Sequence, residues 1–236
     1  MGRLISRRIF LCLAGGAVAA PRFSWGSDEV PALLDHILLG CQDLEHGIAF
    51  VEERTGVRAA FGGVHPGRGT QNALLSLGTR RYLEIIAPDP KQSGEPQYPI
   101  IKKLAEPRLI GWAAHPGDLQ SLAARLAQSR IAAVGPIPGS RKRPDGRMLQ
   151  WKTLTLRNNA ASLLPFFIEW SADSVHPSED SVKGCSLVRF EAASPDPQTL
   201  AKQIALLGLD LPIIKGAGPQ LRAVIAGPRG QLSVTS

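Results

Sequence analysis

The feature that most constrains this fold is a pattern that occurs three times along the chain. A short apolar segment is followed by an aspartate and then by an amphipathic helical stretch, and the aspartates are Asp43, Asp118 and Asp196. A carboxylate at such a position accepts hydrogen bonds from the free N–H groups of a first helical turn. The pattern therefore predicts three copies of one unit, each beginning with a strand and a capped helix.

Short apolar segments separated by glycine-rich or polar turns follow each helix and predict three further strands, which gives the order β-α-β-β-β. The units are predicted at residues 34–90, 108–171 and 184–236. The fold class expected is α+β: tandem βαβββ modules in curved mixed sheets around a cleft, with a third βαβββ-like unit at the C-terminus. The first two units are expected to form the cleft, while the third supports them or meets its copy in a homodimer.

The N-terminal segment has the pattern of an export signal. Arg7 and Arg8 precede Phe10 and Leu11, and the uncharged run that follows ends in small residues at 17–19. This resembles a twin-arginine signal, and the run is too short to span a bilayer. We therefore expect residues 1–27 to be a signal and leader, the mature protein to be periplasmic, and no membrane span.

Composition excludes several classes of protein. Apolar residues at 44% and charged residues at 20% are typical of a globular domain. The net charge of +7 is dispersed and no basic stripe alternates with aromatic residues, so nucleic acid is not predicted as a partner. Once the signal is removed, Cys41 and Cys185 are left, either as a disulfide or as two free thiols. No C-x-x-C motif supports a cysteine zinc site.

Three residues form the main candidate site. His36 lies on the first strand, in phase with Leu34 and Leu38, and Glu84 and Glu169 lie in the last strands of the first two units. A carboxylate among apolar neighbours needs a cation, a proton or a hydrogen-bond donor. One nitrogen and two carboxylates predict an open site for a divalent metal. The alternative for His36 is an ordinary hydrogen-bonded core histidine.

Other side chains are candidates for contacts with a substrate. Thr70 and Asn72 alternate on the third strand and are expected to reach the cleft floor, with a turn cap as the alternative for Asn72. Trp151 is expected to form part of the cleft wall. Arg143 or Arg147 is expected to bind an acidic group, with an exposed surface arginine as the alternative.

Several motifs then indicate a family. They are Leu34-Asp35-His36, the segment Tyr82–Pro88, the segment His65–Asn72 and the segment Leu164–Trp170. Together with the tandem βαβββ order, they resemble the glyoxalase-like domain family of the vicinal oxygen chelate superfamily, over roughly residues 34–171.

The resemblance implies that paired units supply metal ligands from their first and last strands, which correspond here to His36, Glu84 and Glu169. The first strand of unit two has Gly111 and Trp112 where a fourth ligand is expected, and this leaves room for water or a chelating substrate. A lyase, isomerase or dioxygenase is then expected, using Fe, Mn, Zn or Ni on a small oxygenated substrate, with Glu84 or Glu169 as the base. The alternative is a metal-free protein that sequesters a small molecule in the same cleft.

Overall fold

The computed structural model describes residues 30–143, 145–157 and 163–236. The predicted export signal and cleavage site lie outside the described residues. No helix in the described ranges is long and apolar enough to cross a membrane.

The first two units each have the predicted element order. Unit one consists of β1 (Leu34–Gly40), α1 (Leu44–Thr55), β2 (Ala60–His65), β3 (Thr70–Ser76) and β4 (Tyr82–Pro88). A short 3₁₀ helix, Pro99–Lys103, lies in the linker that follows. Unit two consists of β5 (Arg108–Ala114), α2 (Leu119–Gln128), β6 (Ala133–Lys142), β7 (Met148–Leu156) and β8 (Phe166–Trp170).

Units one and two share a single eight-stranded sheet in the order β2-β3-β4-β1-β5-β8-β7-β6. Each unit pairs its first strand parallel to its last, β1 with β4 and β5 with β8, and β1 and β5 join the units as an antiparallel pair. The sheet curls so far that its edge strands approach one another, with Gly62 and Gly63 of β2 beside Arg141 of β6. The concave face of this sheet encloses a cleft, and the α+β fold class is confirmed.

The third unit has the same element order but a different sheet. It consists of β9 (Ser186–Ser194), α4 (Pro197–Leu206), β10 (Ile213–Lys215), β11 (Gln220–Ala226) and β12 (Gln231–Thr235), after a short helix α3 (Pro177–Asp180). Its four strands run in the order β10-β9-β11-β12. Here β9 is parallel to the second strand of the unit and not to the last, so the third unit is not a copy of the first two in strand order.

The repeated aspartates cap the three helices as predicted. Asp43 accepts from His46 N–H, Asp118 from Gln120 and Ser121 N–H, and Asp196 from Thr199 N–H. The helices lie against the convex side of the sheets through their apolar stripes, for example Leu119, Leu122 and Leu126 of α2, all buried. This arrangement leaves the concave side free for the cleft.

The hydrophobic core is continuous across the three units. Trp112 of β5 contacts Phe190 of β9 edge to face, with ring centroids 5.4 Å apart, and both rings are fully buried. Thr55 at the end of α1 accepts a hydrogen bond from Arg229 N–H of the third unit. Cys41 and Cys185 are buried free thiols, which answers the question that the sequence left open. Burial raises the pKa of the Cys41 thiol to about 12.

Candidate active site

A cleft of about 350 Å³ lies on the concave face of the eight-stranded sheet, and its two walls differ in character. Unit one contributes mostly polar side chains, and most of the apolar side chains come from unit two. The polar wall carries His36, His65, Asn72 and Glu84, together with Arg141 from the edge strand of unit two.

A bulge in β1 sets the position of the histidine. Leu34 pairs with Ala114 and His36 pairs with Ala113, so Asp35 is an extra residue in β1. The bulge shifts the alternation of the strand: Leu34 packs in the core with Ile37, whereas His36 and Leu38 line the cleft. The expectation that Leu34 and His36 share a face was therefore wrong, because strict alternation does not continue through a bulge.

Asp35 is fully buried and accepts three hydrogen bonds. They come from His36 Nδ1 at 2.7 Å, His176 Nε2 at 3.1 Å and Trp170 Nε1 at 3.1 Å. Burial alone raises the pKa of the Asp35 carboxyl, but the hydrogen bonds from His176 and His36 and the charges of these two groups lower it further. The net pKa of Asp35 lies well below its usual value. Asp35 is therefore an ionised acceptor.

The Asp35 carboxylate fixes the tautomers of both histidines. Ser178 N–H donates to His176 Nδ1 at 3.2 Å, so His176 carries its proton on Nε2 and donates it to Asp35. His36 in turn must donate from Nδ1, because an ionised carboxylate has no proton to give. With its proton held on Nδ1, the neutral form of His36 presents the lone pair of Nε2 toward the cleft.

Glu84 of β4 faces the same atom. Its Oε2 lies 3.6 Å from His36 Nε2, while its Oε1 accepts from Asn72 Nδ2 at 2.6 Å and lies 3.5 Å from His65 Nε2. Burial raises the pKa of Glu84, but His65, His36, the Asn72 hydrogen bond and Arg141 together lower it below the usual value. The floor of the cleft therefore holds an ionised carboxylate beside an imidazole with a fixed proton.

Hydrogen bonds with Thr70 and Arg141 fix the positions of His65 and Asn72 in the polar wall. Thr70 bonds to His65 through Oγ1 and Nδ1 at 2.9 Å, and Arg141 donates from Nη1 to Asn72 Oδ1 at 2.7 Å. Burial is the main cause that lowers the pKa of His65 to about 4, so this imidazole is neutral at neutral pH. Thr70, predicted to contact a substrate, is buried behind His65 and does not line the cleft. Asn72 does line it, as does Trp151.

The structure contradicts the predicted role of Glu169. Its carboxylate accepts from Leu119 N–H at 2.8 Å, at the start of α2, and its other oxygen lies 3.4 Å from Lys152 Nζ. On β8 the residues that face the cleft are Phe166, Ile168 and Trp170. Since neighbouring residues of a strand point to opposite faces, Glu169 lies on the helix side of the sheet. It is not brought together with His36 and Glu84.

Arg143 also lies elsewhere. It follows the end of β6 and donates to Asp180 at 2.8 Å, in a separate surface depression that Arg147 also lines. Strand β6 continues to Lys142, which pairs with Met148 of β7. As a result Arg141, two residues before the predicted arginine, is the one that enters the cleft.

The residues present do not fit the metal site that the resemblance implies. On β5 and β8, the first and last strands of unit two, the residues that line the cleft offer no ligand for a divalent metal: Ile110, Gly111, Trp112, Phe166, Ile168 and Trp170. Among the described residues, no group of three or more His, Cys, Asp or Glu side chains is arranged to hold a metal ion. The polar wall instead holds a carboxylate–imidazole pair with an arginine close by.

Sequence reasoning missed five residues of this site: Asp35, His65, Arg141, Trp170 and His176. Asp35 adjoins the predicted histidine, and a buried carboxylate next to a histidine was a signal for an Asp–His pair. His65 and Trp170 lie inside quoted motifs, in the segments His65–Asn72 and Leu164–Trp170. His176 lies in a linker between units and gave no comparable signal.

Two βαβββ units that share a curved sheet around a cleft define a protein of the vicinal oxygen chelate superfamily. The model of a glyoxalase-like domain matches residues 34–208, and the chain belongs to that family. The match extends beyond unit two and includes the first strand and helix of the third unit.

Similar solved structures share the fold at low identity. A hypothetical protein from Staphylococcus aureus has a TM-score of 0.57 at 16% identity, covering 86% of this chain and 84% of that one. A variant of methylmalonyl-CoA epimerase from Streptomyces coelicolor, in complex with 2-nitronate-propionyl-CoA, has a TM-score of 0.43 at 18% identity and covers 61% of this chain and 97% of its own. The methylmalonyl-CoA epimerase of Mycobacterium tuberculosis has a TM-score of 0.41 at 17% identity, covering 61% of this chain and 90% of that one. No curated protein matches the sequence.

Proposed function

We propose that this protein is an enzyme that removes a proton from a carbon next to a carbonyl group of a small oxygenated substrate and returns it, as an isomerase or epimerase does. The observation that carries the proposal is the contact between Asp35 and His36. A fully buried, ionised carboxylate holds one nitrogen of the imidazole and leaves the other facing the cleft. This is the arrangement of an oriented general base.

In the proposed reaction the C–H bond of the substrate breaks, its proton moves to His36 Nε2, and its electron pair moves toward the carbonyl oxygen to form an enolate. The imidazolium that results lies between two carboxylates, Asp35 at Nδ1 and Glu84 at 3.6 Å from Nε2. Both carboxyl groups have lowered pKa values and stay ionised, so both stabilise the new charge. Return of the proton to the enolate completes an isomerisation, and no oxidant or reductant is needed.

A metal-free protein that sequesters a small molecule is the second candidate function. The cleft volume and its apolar wall are compatible with either function. A binding protein, however, has no need for an imidazole whose tautomer is fixed by a buried carboxylate. The Asp35–His36 contact therefore favours the enzyme.

Proton exchange in deuterium oxide tests the proposal directly. Phenylpyruvate, pyruvate and benzylacetone are incubated with the protein, and loss of the proton next to the carbonyl is followed by NMR. We expect the wild type to accelerate exchange of at least one probe and His36→Gln to lower that rate by about 10²-fold or more. The matched control is His46→Gln, on the exposed face of α1, which should leave the rate unchanged.

Two outcomes would contradict the proposal. If the wild type exchanges none of the probes but binds one of them, as shown by shifts of protein resonances, the sequestration function replaces it. If exchange is lost on dialysis against a chelator and restored by manganese, zinc or iron, the reaction depends on a metal and the proton transfer proposed here is wrong.

A further inference from the structure

Within the described residues, the buried side chain of Arg141 has no direct anionic partner. Its exposed fraction is 4%, its one side-chain hydrogen bond to those residues is to Asn72 Oδ1, and none of their carboxylate oxygens lies within 4.0 Å. A guanidinium carries five N–H donors, so most of them are not used by the protein. Burying a charge without a counter-charge is costly, because the group loses its hydration and gains little in return.

Glu84 is the nearest negative charge that acts on Arg141, but it makes no direct contact with the guanidinium, because Asn72 stands between the two groups. The amide oxygen of Asn72 accepts from Arg141, and its nitrogen donates to Glu84 Oε1. Asn72 therefore links the two charged groups and also keeps them from direct contact. The Arg141 side chain reaches this position by passing over Gly62, where an added Cβ would lie 2.7 Å from its Nη1. The chain thus places a cation in the cleft at a point where a side chain on β2 would block it.

The cleft also contains a second arginine at lower burial. Arg68 lines the cleft and donates to Gln97 Oε1 at 3.1 Å. His65 lies in the same wall and is neutral because of its burial and the nearby Arg141 and Arg68. An anionic group in this part of the cleft therefore meets the positive charges of Arg68 and Arg141, to which neutral His65 adds none, and the Glu84 carboxylate is the opposing charge.

The opposite wall is apolar and partly exposed to the cleft. Its side chains come from unit two: Ile110, Trp151, Phe166, Ile168 and Trp170. The rings of Trp151 and Trp170 lie side by side with centroids 5.5 Å apart. Exposed aromatic faces next to a polar wall are suited to a flat apolar group whose polar end points away from them.

We infer that the ligand of this cleft is an amphipathic anion: a carboxylate pairs with Arg141, and an aromatic or alkyl body lies on the wall formed by Trp151 and Trp170. The inference names the substrate class for the cleft used in the proposed function, and to that extent it rests on that function. It concerns binding alone, so it is tested without turnover.

Three matched compounds separate the contributions of charge and body. Hydrocinnamate has the carboxylate and the ring, hydrocinnamamide has the ring without the charge, and propionate has the charge without the ring. Calorimetric titration of the wild type should give a dissociation constant for hydrocinnamate about tenfold or more below those of the other two. Equal affinities for hydrocinnamate and hydrocinnamamide would overturn the inference.

Substitutions of Arg141 test whether this residue causes the preference for the anion over the uncharged amide. Arg141→Met should bind hydrocinnamate and hydrocinnamamide equally, and Arg141→Lys should keep a reduced preference for the anion. Arg125→Met is the matched control, since it removes one positive charge from the exposed face of α2 and should bind like the wild type. If Arg141→Met does not fold, Arg141→Gln, which is also uncharged, decides in its place: a preference for the anion equal to that of the wild type would overturn the assignment to Arg141.

The result is independent of the proton-transfer proposal. The two proposals have different readouts: His36→Gln should lower exchange by about 10²-fold or more, whereas Arg141→Met should abolish the preference for the anion. If the wild type binds hydrocinnamate but exchanges no probe, the proton-transfer proposal is wrong and the anion site stands. If it exchanges the proton of benzylacetone but shows no preference for carboxylates, the anion site is wrong and the proton-transfer proposal stands.

Discussion

At the scale of single residues, Asp35 determines what His36 can do. The bulge in β1 brings two consecutive side chains into contact, and three N–H donors converge on the carboxylate. Without that acceptor, the proton of His36 is free to sit on either nitrogen, and Trp170 and His176 lose a buried partner.

Asp35→Asn should therefore lower both stability and exchange. An amide turns one of its two polar atoms into a donor, so at least one of the three buried N–H groups loses its acceptor, at a cost of about 1–3 kcal/mol. Thermal denaturation of this variant beside Asp173→Asn, an exposed control, measures the effect.

The effect of Asp35→Asn should also depend on pH. Because the pKa of Asp35 is lowered from its ordinary value of 3.8, the ionised carboxylate stabilises the folded protein above that pH, and this contribution is lost on further acidification. The difference from the wild type should thus be full at pH 6 and shrink below about pH 4. A difference that does not change with pH would contradict the assignment.

The lowered pKa of His65 predicts a second dependence of stability on pH, in a higher pH range than that of Asp35. Its pKa falls from 6.5 to about 4 on folding, so between these values the unfolded chain binds a proton that the folded chain does not. Stability should therefore fall as pH drops from 6.5 to 4, by roughly 3 kcal/mol from this residue, and then level off. Denaturant titrations of the wild type and His65→Gln across this range give the contribution as a difference. If the two curves are parallel, His65 is not the source.

At this scale the sequence identified His36 and Glu84, which the structure brings together, but it did not show what positions the histidine. Glu84 lies on a strand that alternates regularly, whereas His36 faces the cleft because of the bulge at Asp35. The prediction for Glu169 failed by a single step along β8, where one position separates the cleft face from the helix face. The sequence contains nothing that fixes this phase, since Phe166, Phe167, Ile168 and Trp170 are all apolar and either face can be buried.

At the scale of elements, the side chain of Glu169 on β8 caps the start of α2 and does not reach the cleft. Its carboxylate accepts from the first N–H of that helix, close to the positive end of the helix dipole, while Asp118 accepts from the next two. The cap predicted from the sequence is therefore correct but incomplete. The part supplied by β8 depends on tertiary contact, which a local sequence pattern does not include.

Glu169→Gln tests this placement. Loss of the charge at the start of α2 and of the contact with Lys152 should cost about 0.5–2 kcal/mol, with proton exchange and hydrocinnamate binding unchanged. Glu84→Gln is the matched comparison, and it should change exchange because it removes a carboxylate from beside His36. A loss of exchange in Glu169→Gln equal to that in Glu84→Gln would return Glu169 to the site.

Strands β2 and β6 approach each other closely where Arg141 passes Gly62. The substitution Gly62→Ala tests whether the position of Arg141 depends on this close approach. An added Cβ would lie 2.5 Å from Asn72 Oδ1 and 2.7 Å from Arg141 Nη1, so one of these groups must move. Affinity for hydrocinnamate should fall toward that of hydrocinnamamide. Gly218→Ala, where a Cβ has open space, is the control and should have no effect on binding. Unchanged anion preference in Gly62→Ala would mean that Arg141 does not depend on this passage.

At the scale of the whole molecule, element order was predictable and strand order in the third unit was not. The aspartate caps and apolar stripes recur in all three units, and they define β-α-β-β-β three times. Sheet order depends on which strand edges remain open after the helix has packed. Units one and two leave the edges of β1 and β5 open for each other, whereas β9 has neighbours on both sides, β10 and β11. The third unit therefore forms its own sheet and contributes its apolar face to the shared core.

This division of roles makes a final prediction about cooperativity. Phe190 of the third unit is fully buried against Trp112, which belongs to a strand of the cleft-forming sheet. Phe190→Ala should cost about 3–5 kcal/mol, because it removes a buried ring and leaves a cavity between the two sheets. If the core acts as one unit, the variant unfolds in a single transition at lower temperature, and the near-ultraviolet signal of the tryptophans is lost together with the far-ultraviolet signal of the backbone.

Leu206→Ala on the exposed face of α4 is the control and should unfold at a temperature close to that of the wild type. Two separate transitions in Phe190→Ala, with the cleft tryptophans retained through the first, would show instead that the third unit folds independently of the cleft.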